Sequence, residues 1–183
     1  MALDDILRRL GAAATTVLID GRSGSGKSTL AVELHNAWVG SVVVRLDDIY
    51  PGWDGLLWAA DHVLRSLLEP RAAGSTGCWR QWDWATSEPA GWHTVEPGQR
   101  LIVEGIGALT PATRALADLG IWVDADDAER KRRALERDGE TYRPHWDRWA
   151  AQEAEFIARF QPRACADLIA EPTARGFEFT ARD

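Results

Sequence analysis

Residues 15–28 read TTVLIDGRSGSGKS, and this stretch decides the fold. Thr15 to Asp20 is a β-branched apolar run ending at a glycine, the pattern of a strand buried in a sheet. The next eight residues, Gly21-Arg22-Ser23-Gly24-Ser25-Gly26-Lys27-Ser28, end in glycine, lysine and a hydroxyl. Glycines permit positive φ and let backbone N–H groups crowd around an anion. From Lys27 onward, Leu30, Leu34 and Trp38 recur at four-residue spacing, so a helix is expected to open there with its N-terminus facing the same anion. Strand, glycine cradle and helix N-terminus in that order make a P-loop. Lys27 would reach the β- and γ-phosphates of a nucleoside triphosphate, and Ser28 would hold Mg²⁺. Gly21, Ser23, Gly24, Ser25, Gly26, Lys27, Ser28 and Thr29 are therefore the expected nucleotide-binding residues, with ATP and Mg²⁺ the expected ligands.

Working outward, four more short apolar runs read as strands: Ser41–Leu46, Leu101–Glu104, Ile121–Asp124 and Asp167–Ala170. Between them lie helical patterns over Asp54–Leu68, around Pro111–Leu119, over Asp126–Arg137 and over Trp146–Phe160. Continuously apolar strands alternating with helices predict one α/β domain over residues 1–183: a five-stranded, mostly parallel sheet covered on both faces. Residues 74–98 show no clean period and hold Pro89, Gly91 and Pro97 among tryptophans. Linkers rarely carry so much aromatic surface, so this excursion reads as functional.

Composition narrows the partners. The chain has 183 residues, a formal net charge of −7 and only two cysteines, Cys78 and Cys165. A net acidic chain is a poor general polyanion binder, which argues against nucleic acid and requires any phosphate site to be local. Two scattered cysteines give neither a disulfide framework nor a zinc cluster. Met1–Leu10 reads as a short amphipathic helix and not a signal core, and no apolar run approaches the roughly 20 residues that span a bilayer. A cytoplasmic, membrane-free setting is the expectation. Ten tryptophans are present, five of them between positions 53 and 84, and only two lysines, Lys27 and Lys131.

Acids end the second and third strands. Leu46-Asp47-Asp48-Ile49-Tyr50 follows the second, and Glu104-Gly105-Ile106-Gly107 closes the third. Carboxylates at the carboxyl ends of parallel strands lie in the crevice where α/β proteins bind ligands. There they take a proton from a hydroxyl or help hold a metal, and either aspartate of the pair fits that role. Arg130, Arg133 and Arg137 share one face of a helix, as phosphate-neutralising groups or as a solvated basic surface; Arg143 is a further candidate. His93 and His145 read either as acid–base groups or as hydrogen-bonded surface residues. In Trp79-Arg80-Gln81-Trp82-Asp83-Trp84, the carboxylate between two indoles suits a hydroxylated, flat body; the tryptophans equally suit a satellite core.

These motifs, in this order, resemble the uridine kinase group of P-loop kinases, relatives of pantothenate kinase and phosphoribulokinase. The resemblance rests on the P-loop, on Asp47-Asp48-Ile49-Tyr50 and on Val103-Glu104-Gly105-Ile106. It implies an ATP- and Mg-dependent small-molecule kinase that moves the γ-phosphate to a hydroxyl, with a nucleoside as one acceptor. By position, Asp47 would activate the acceptor and contribute to the metal site, and Tyr50 would line the acceptor pocket with Trp82, Asp83 and Trp84. Glu104 and Ser28 would serve the metal. A short lid at about 130–145 would bring Arg133 and Arg137 to the transferring phosphate. The chain departs from the group at Asp48 and Ile49, where serine and phenylalanine are usual, and its His-Pro-Asp acceptor segment is not evident. The alternative is a nucleotide-binding regulatory ATPase without an acceptor. No Asn-Lys-x-Asp guanine motif is present.

Overall fold

Buried apolar strands set the architecture. The computed structural model describes residues 3–182, with the side chains of Arg137, Asp138 and Thr141 lying outside the description together with Met1, Ala2 and Asp183. Strands β1 (Thr16–Asp20), β2 (Ser41–Arg45), β5 (Arg100–Glu104), β6 (Leu119–Val123), β7 (Leu168–Thr173) and β8 (Gly176–Ala181) form one sheet, in the order β2-β5-β1-β6-β7-β8. Its first five strands are parallel, and β8 returns antiparallel against β7.

Period-2 alternation sends side chains to two separate cores. Val17 and Ile19 of β1 join Ile102, Ile121 and Leu168 on one face. There they meet Ile6 of α1 (Leu3–Leu10) and Leu30 and Leu34 of α2 (Lys27–Ala37). Leu18, Val103 and Trp122 point to the other face. That face is covered by α3 (Leu56–His62), by the later part of α6 (Asp127–Tyr142) and by α7 (Trp146–Phe160). Each fully buried leucine, isoleucine or valine contributes about 1.5–3 kcal/mol, so the double covering secures the sheet.

Two elements extend the sequence expectations. The sheet has six strands where five were expected. Gly176–Ala181 was missed because a C-terminal edge strand buries one side chain deeply, Phe179, and leaves its neighbours half-exposed or exposed. The excursion proves to be a hairpin, β3 (Gly77–Asp83) and β4 (Glu88–Val95). Its pairing shifts between Arg80 and Trp82, and it is mostly accessible, so no two-residue apolar rhythm was there to read.

Smaller boundary differences have local causes. Helix α3 runs on through a π-helical stretch, Val63–Leu68, into α4 (Glu69–Ala72). Buried Arg71 of α4 donates to the carbonyls of Glu96, Gln99 and Thr15, which fastens the hairpin's base to β1. Helix α5 is only Pro111–Arg114, because Leu119 already belongs to β6. Helix α6 reaches Tyr142 through a kink at Gly139, which has a φ of 52°. A short helix α8 (Pro162–Cys165) leads into β7.

Candidate active site

The carboxyl ends of β1, β2 and β5 converge on the loop 21–26. Gly24 and Gly26 have φ of 79° and 104°, the left-handed region that glycine tolerates. At Gly24 a side chain would also collide with the Arg130 carbonyl, so the loop is pressed against the start of α6. Among the described residues, the N–H groups of Gly24, Gly26, Lys27, Ser28 and Thr29 find no protein acceptor. They stand at the N-terminus of an 11-residue helix. Five unpaired donors at the positive end of a helix dipole make an anion site. Lys27 is buried, and its Nζ donates across the loop to the Arg22 carbonyl at 3.1 Å.

Ser28 Oγ donates to Glu104 Oε1 at 2.8 Å. This hydroxyl and carboxylate, hard oxygen donors side by side, fit a magnesium ion. Burial raises the Glu104 carboxyl above its ordinary range. The charge of Asp47 adds to the shift, while Lys27, Ser28 and Arg45 oppose it. Arg45 Nε lies 3.8 Å from the same carboxylate.

Asp47 and Asp48 sit on a single 3-10 turn, Leu46–Asp48, that ends β2. Both carboxylates are exposed to a cavity of about 790 Å³ that also reaches Ser23 and Ser28. Burial, and then the charge of Asp47, raises the Asp48 carboxyl, with Arg45 and His93 acting in the opposite sense. The cavity thus joins the expected phosphate end to both candidate bases.

Its far wall is aromatic. Trp53, Trp82, Trp84, Tyr142 and Trp149 line it. Trp53 stacks on His145 at 4.4 Å and on Tyr142 at 5.4 Å, and tilts against Trp84 at 5.1 Å. Trp84 Nε1 donates to the Asp47 carbonyl at 2.8 Å, which ties the hairpin tip to the turn bearing the two acids.

Some expected residues are brought here and some are not. Trp82 and Trp84 line the cavity. Asp83 does not: its Oδ1 accepts the N–H groups of Ala85 and Thr86 and caps the hairpin turn. Tyr50 lends its ring to the floor, but its hydroxyl is committed to the Ile106 carbonyl at 2.6 Å and is buried. Arg133 is turned away from the loop. It pairs with Glu129 at 2.7 Å and borders a separate acidic hollow with Asp124, Asp126 and Glu171. The arginine brought to the loop is instead Arg130, which is buried, pairs with Asp127 at 2.7 Å and lies 3.5 Å from the Ser23 carbonyl. The Arg137 side chain lies outside the described residues. Arg143 lies 3.4 Å from Glu140. His93 bonds Gln81 and stacks on Trp79, and His145 stacks on Trp53, so both are held structurally.

Three residues escaped the sequence reading. Glu153 of α7 is 1% exposed and accepts from Ser23 N at 2.8 Å, Ser23 Oγ at 2.6 Å and Arg22 Nε at 3.2 Å. The signal was present: Glu153 falls on the apolar face of α7 beside Trp149 and Phe156. Trp149 itself donates to Ser23 Oγ at 3.1 Å. Asp20, fully buried at the end of β1, accepts the N–H groups of Gly21, Gly107 and Leu109 and so couples the phosphate loop to the loop after β5. Burial pushes its carboxyl up to about 7, against the pull of those N–H groups and Lys27. Among the described residues no group of three or more histidines, cysteines or acids is placed to hold a metal, and no helix is long and apolar enough to cross a membrane.

Comparison with known proteins places this geometry in a context. A family model described as AAA domain (AAA_18) matches residues 17–158. No curated protein matches the chain. Among solved structures, a possible uridine kinase from Bacillus stearothermophilus superposes with a TM-score of 0.65 at 20% identity, covering 91% of this chain and 94% of that one. Phosphoribulokinase from Rhodobacter spheroides gives 0.59 at 15% identity, covering 87% of this chain and 70% of that one. At such identities the likeness shows a shared P-loop kinase fold.

Proposed function

Because the chain belongs to the AAA_18 family of AAA domains, we propose that it is an ATP- and Mg²⁺-dependent small-molecule kinase. The observation that carries the reading is the single cavity that spans Ser23 and Ser28 at one end and Asp47 and Asp48 at the other. A γ-phosphate held by the loop would face an acceptor hydroxyl held by the turn. The kinase folds of the structural neighbours support the same reading.

In the proposed reaction, the loop N–H groups and Lys27 hold the triphosphate. The acceptor oxygen forms a bond to the γ-phosphorus as the bond to the bridging oxygen of ADP breaks. The acceptor proton passes to the Asp47 carboxylate. Ser28 and Glu104 would hold magnesium, which when bound neutralises charge on the phosphate oxygens. Arg130 and Glu153 fix the loop's outer limb. Positioning and fixed charge supply the rate, since phosphoryl transfer needs little covalent help from the protein.

The test is ADP production with and without a panel of hydroxylated small molecules. Turnover that depends on one class of alcohol supports the kinase. ATP hydrolysis indifferent to every alcohol would overturn it in favour of a regulatory ATPase.

A further inference from the structure

We infer that the acceptor is an alcohol bearing a protonated or quaternary amine, seated with its cationic group between the aromatic wall and Asp48. The inference rests on the kinase reading and specifies the acceptor end of the same cavity.

Three features lead to it. The first is the wall. Trp53 and Trp84 meet at 57° with centroids 5.1 Å apart, while Trp149 stands edge-on to Trp53 at 6.3 Å. Rings set at such angles line one volume from several directions. An aromatic face carries negative charge density and attracts a desolvated cation.

Next, no described lysine or arginine of the chain occupies these indoles. Elsewhere the chain stacks its own cations on aromatic rings: Arg80 on Trp92, Arg100 on Trp38, Arg130 and Lys131 on Trp146, and Arg159 on Phe160. Among the described residues, no lysine or arginine lies over Trp53, Trp82 or Trp84. The box is also built in advance, because Trp84 is tied to the Asp47 carbonyl and Trp53 is stacked on His145.

The third feature is charge. Two carboxylates, Asp47 and Asp48, face the cavity against one guanidinium, Arg45, which already lies beside Glu104. Neither carboxylate has a hydrogen bond or ion pair among the described residues, although the fields of Arg45 and His93 reach Asp48. Asp47 is needed for the hydroxyl proton, which leaves Asp48 for the amine. An anionic acceptor would face both acids and the aromatic wall, with Arg45, already beside Glu104, the one cation in the lining. The volume, shared with the terminal phosphate, leaves room for a ring-bearing body and not for the amine alone.

The transfer step itself is unchanged: the hydroxyl oxygen bonds to the γ-phosphorus, ADP leaves, and the proton goes to Asp47. The amine stays protonated and takes no part in bond making.

The test is calorimetry on the full chain loaded with magnesium and a non-hydrolysable ATP analogue. Three matched probes differ only in the charged group: 2-amino-1-phenylethanol, neutral 1-phenyl-1-propanol and anionic mandelate. Uridine serves as a neutral polar comparison. The amine is expected to bind about tenfold tighter than its neutral match, and mandelate weakest. Asp48→Asn and Trp53→Leu should each erase most of the tenfold preference without abolishing binding of the neutral probe, a pattern that a misfolded variant would not give. Neutral probes binding as well as the amine, or no probe binding at millimolar concentration, would overturn the amine assignment and leave the kinase reading in place. Failure of the nucleotide analogue to bind in the same cell would overturn both.

Discussion

The two ends of the cavity are built on opposite plans. The phosphate end is made of backbone: five N–H groups with no protein acceptor among the described residues, held by glycine geometry at one helix N-terminus. The acceptor end is made of side chains that come from distant segments, with Trp53 before α3, Trp82 and Trp84 from the hairpin, and Tyr142 and Trp149 from α6 and α7. Backbone cradles depend on local sequence and tolerate little change. Side-chain walls depend on tertiary packing and can be rebuilt without disturbing the cradle. One end therefore accepts a common donor, and the other is free to specialise.

The sharpest way to break this division is Lys27→Ala. It removes the one ammonium buried against the loop and leaves the aromatic wall untouched. Phosphotransfer is expected to fall about 10³-fold. The amine probe should still bind, because its contacts lie at the other end. A steady-state ADP assay and calorimetry on one preparation check both halves. Near-wild-type turnover would remove the phosphate assignment.

Glu153→Ala probes how far the backbone cradle depends on a side chain from outside it. The change leaves Ser23 N–H and the Ser23 Oγ proton without their acceptor beside a buried void, and leaves Arg22 with Asp127 at 3.6 Å. Removing one partner of a buried, charged network costs about 3 kcal/mol of stability. A chemical denaturation midpoint that does not move would show that the loop stands without α7.

Asp47→Asn tests the seam between the two ends. Turnover should drop about 10²-fold, as for loss of a general base, with nucleotide affinity unchanged. If Asp48→Asn gives that loss and Asp47→Asn does not, the roles of the neighbouring acids exchange. The amine would then pair with Asp47.

What the sequence disclosed follows the same division. Thr15–Ser28 was legible because strand, glycine cradle and helix are contiguous, and the mechanism needs each residue type at its place. The five parallel strands were legible because each is a continuous apolar run, with β1, β5 and β6 buried on both faces. The aromatic wall was visible only as an excess of tryptophan. Nothing in the linear order says that Trp53 stacks on His145, or that the hydroxyl of Tyr50 turns inward to Ile106 while its ring stays in the floor. Arg133 and Arg130 share a helix face, and only the approach of α6 to Gly24 separates the one that reaches the loop from the one that does not. Asp20 had no local signal at all, since its three N–H partners come from two loops.

The smallest effect concerns that aspartate, the one side chain at the core of the backbone end. Its carboxyl is raised by burial from 3.8 to about 7. A carboxyl whose native pKa exceeds its unfolded value binds more protons when folded. Folding stability then falls as pH rises, beginning near the unfolded value and ending once the native value is passed. For this group alone the loss between pH 6 and pH 7 is about 1 kcal/mol. Asp20→Asn removes the titration while keeping a side-chain oxygen for the Gly107 and Leu109 N–H groups. The difference in unfolding free energy between wild type and Asp20→Asn should therefore shift in favour of the variant by about that amount over this interval, and should be flat above pH 8. A difference that stays constant from pH 5 to pH 8 would mean that Asp20 is ionised in its burial site, with Lys27 and the three N–H groups outweighing desolvation. The backbone cradle would then contain a fixed negative charge directly behind the phosphates, and Lys27 would be answering to that charge as well as to its ligand.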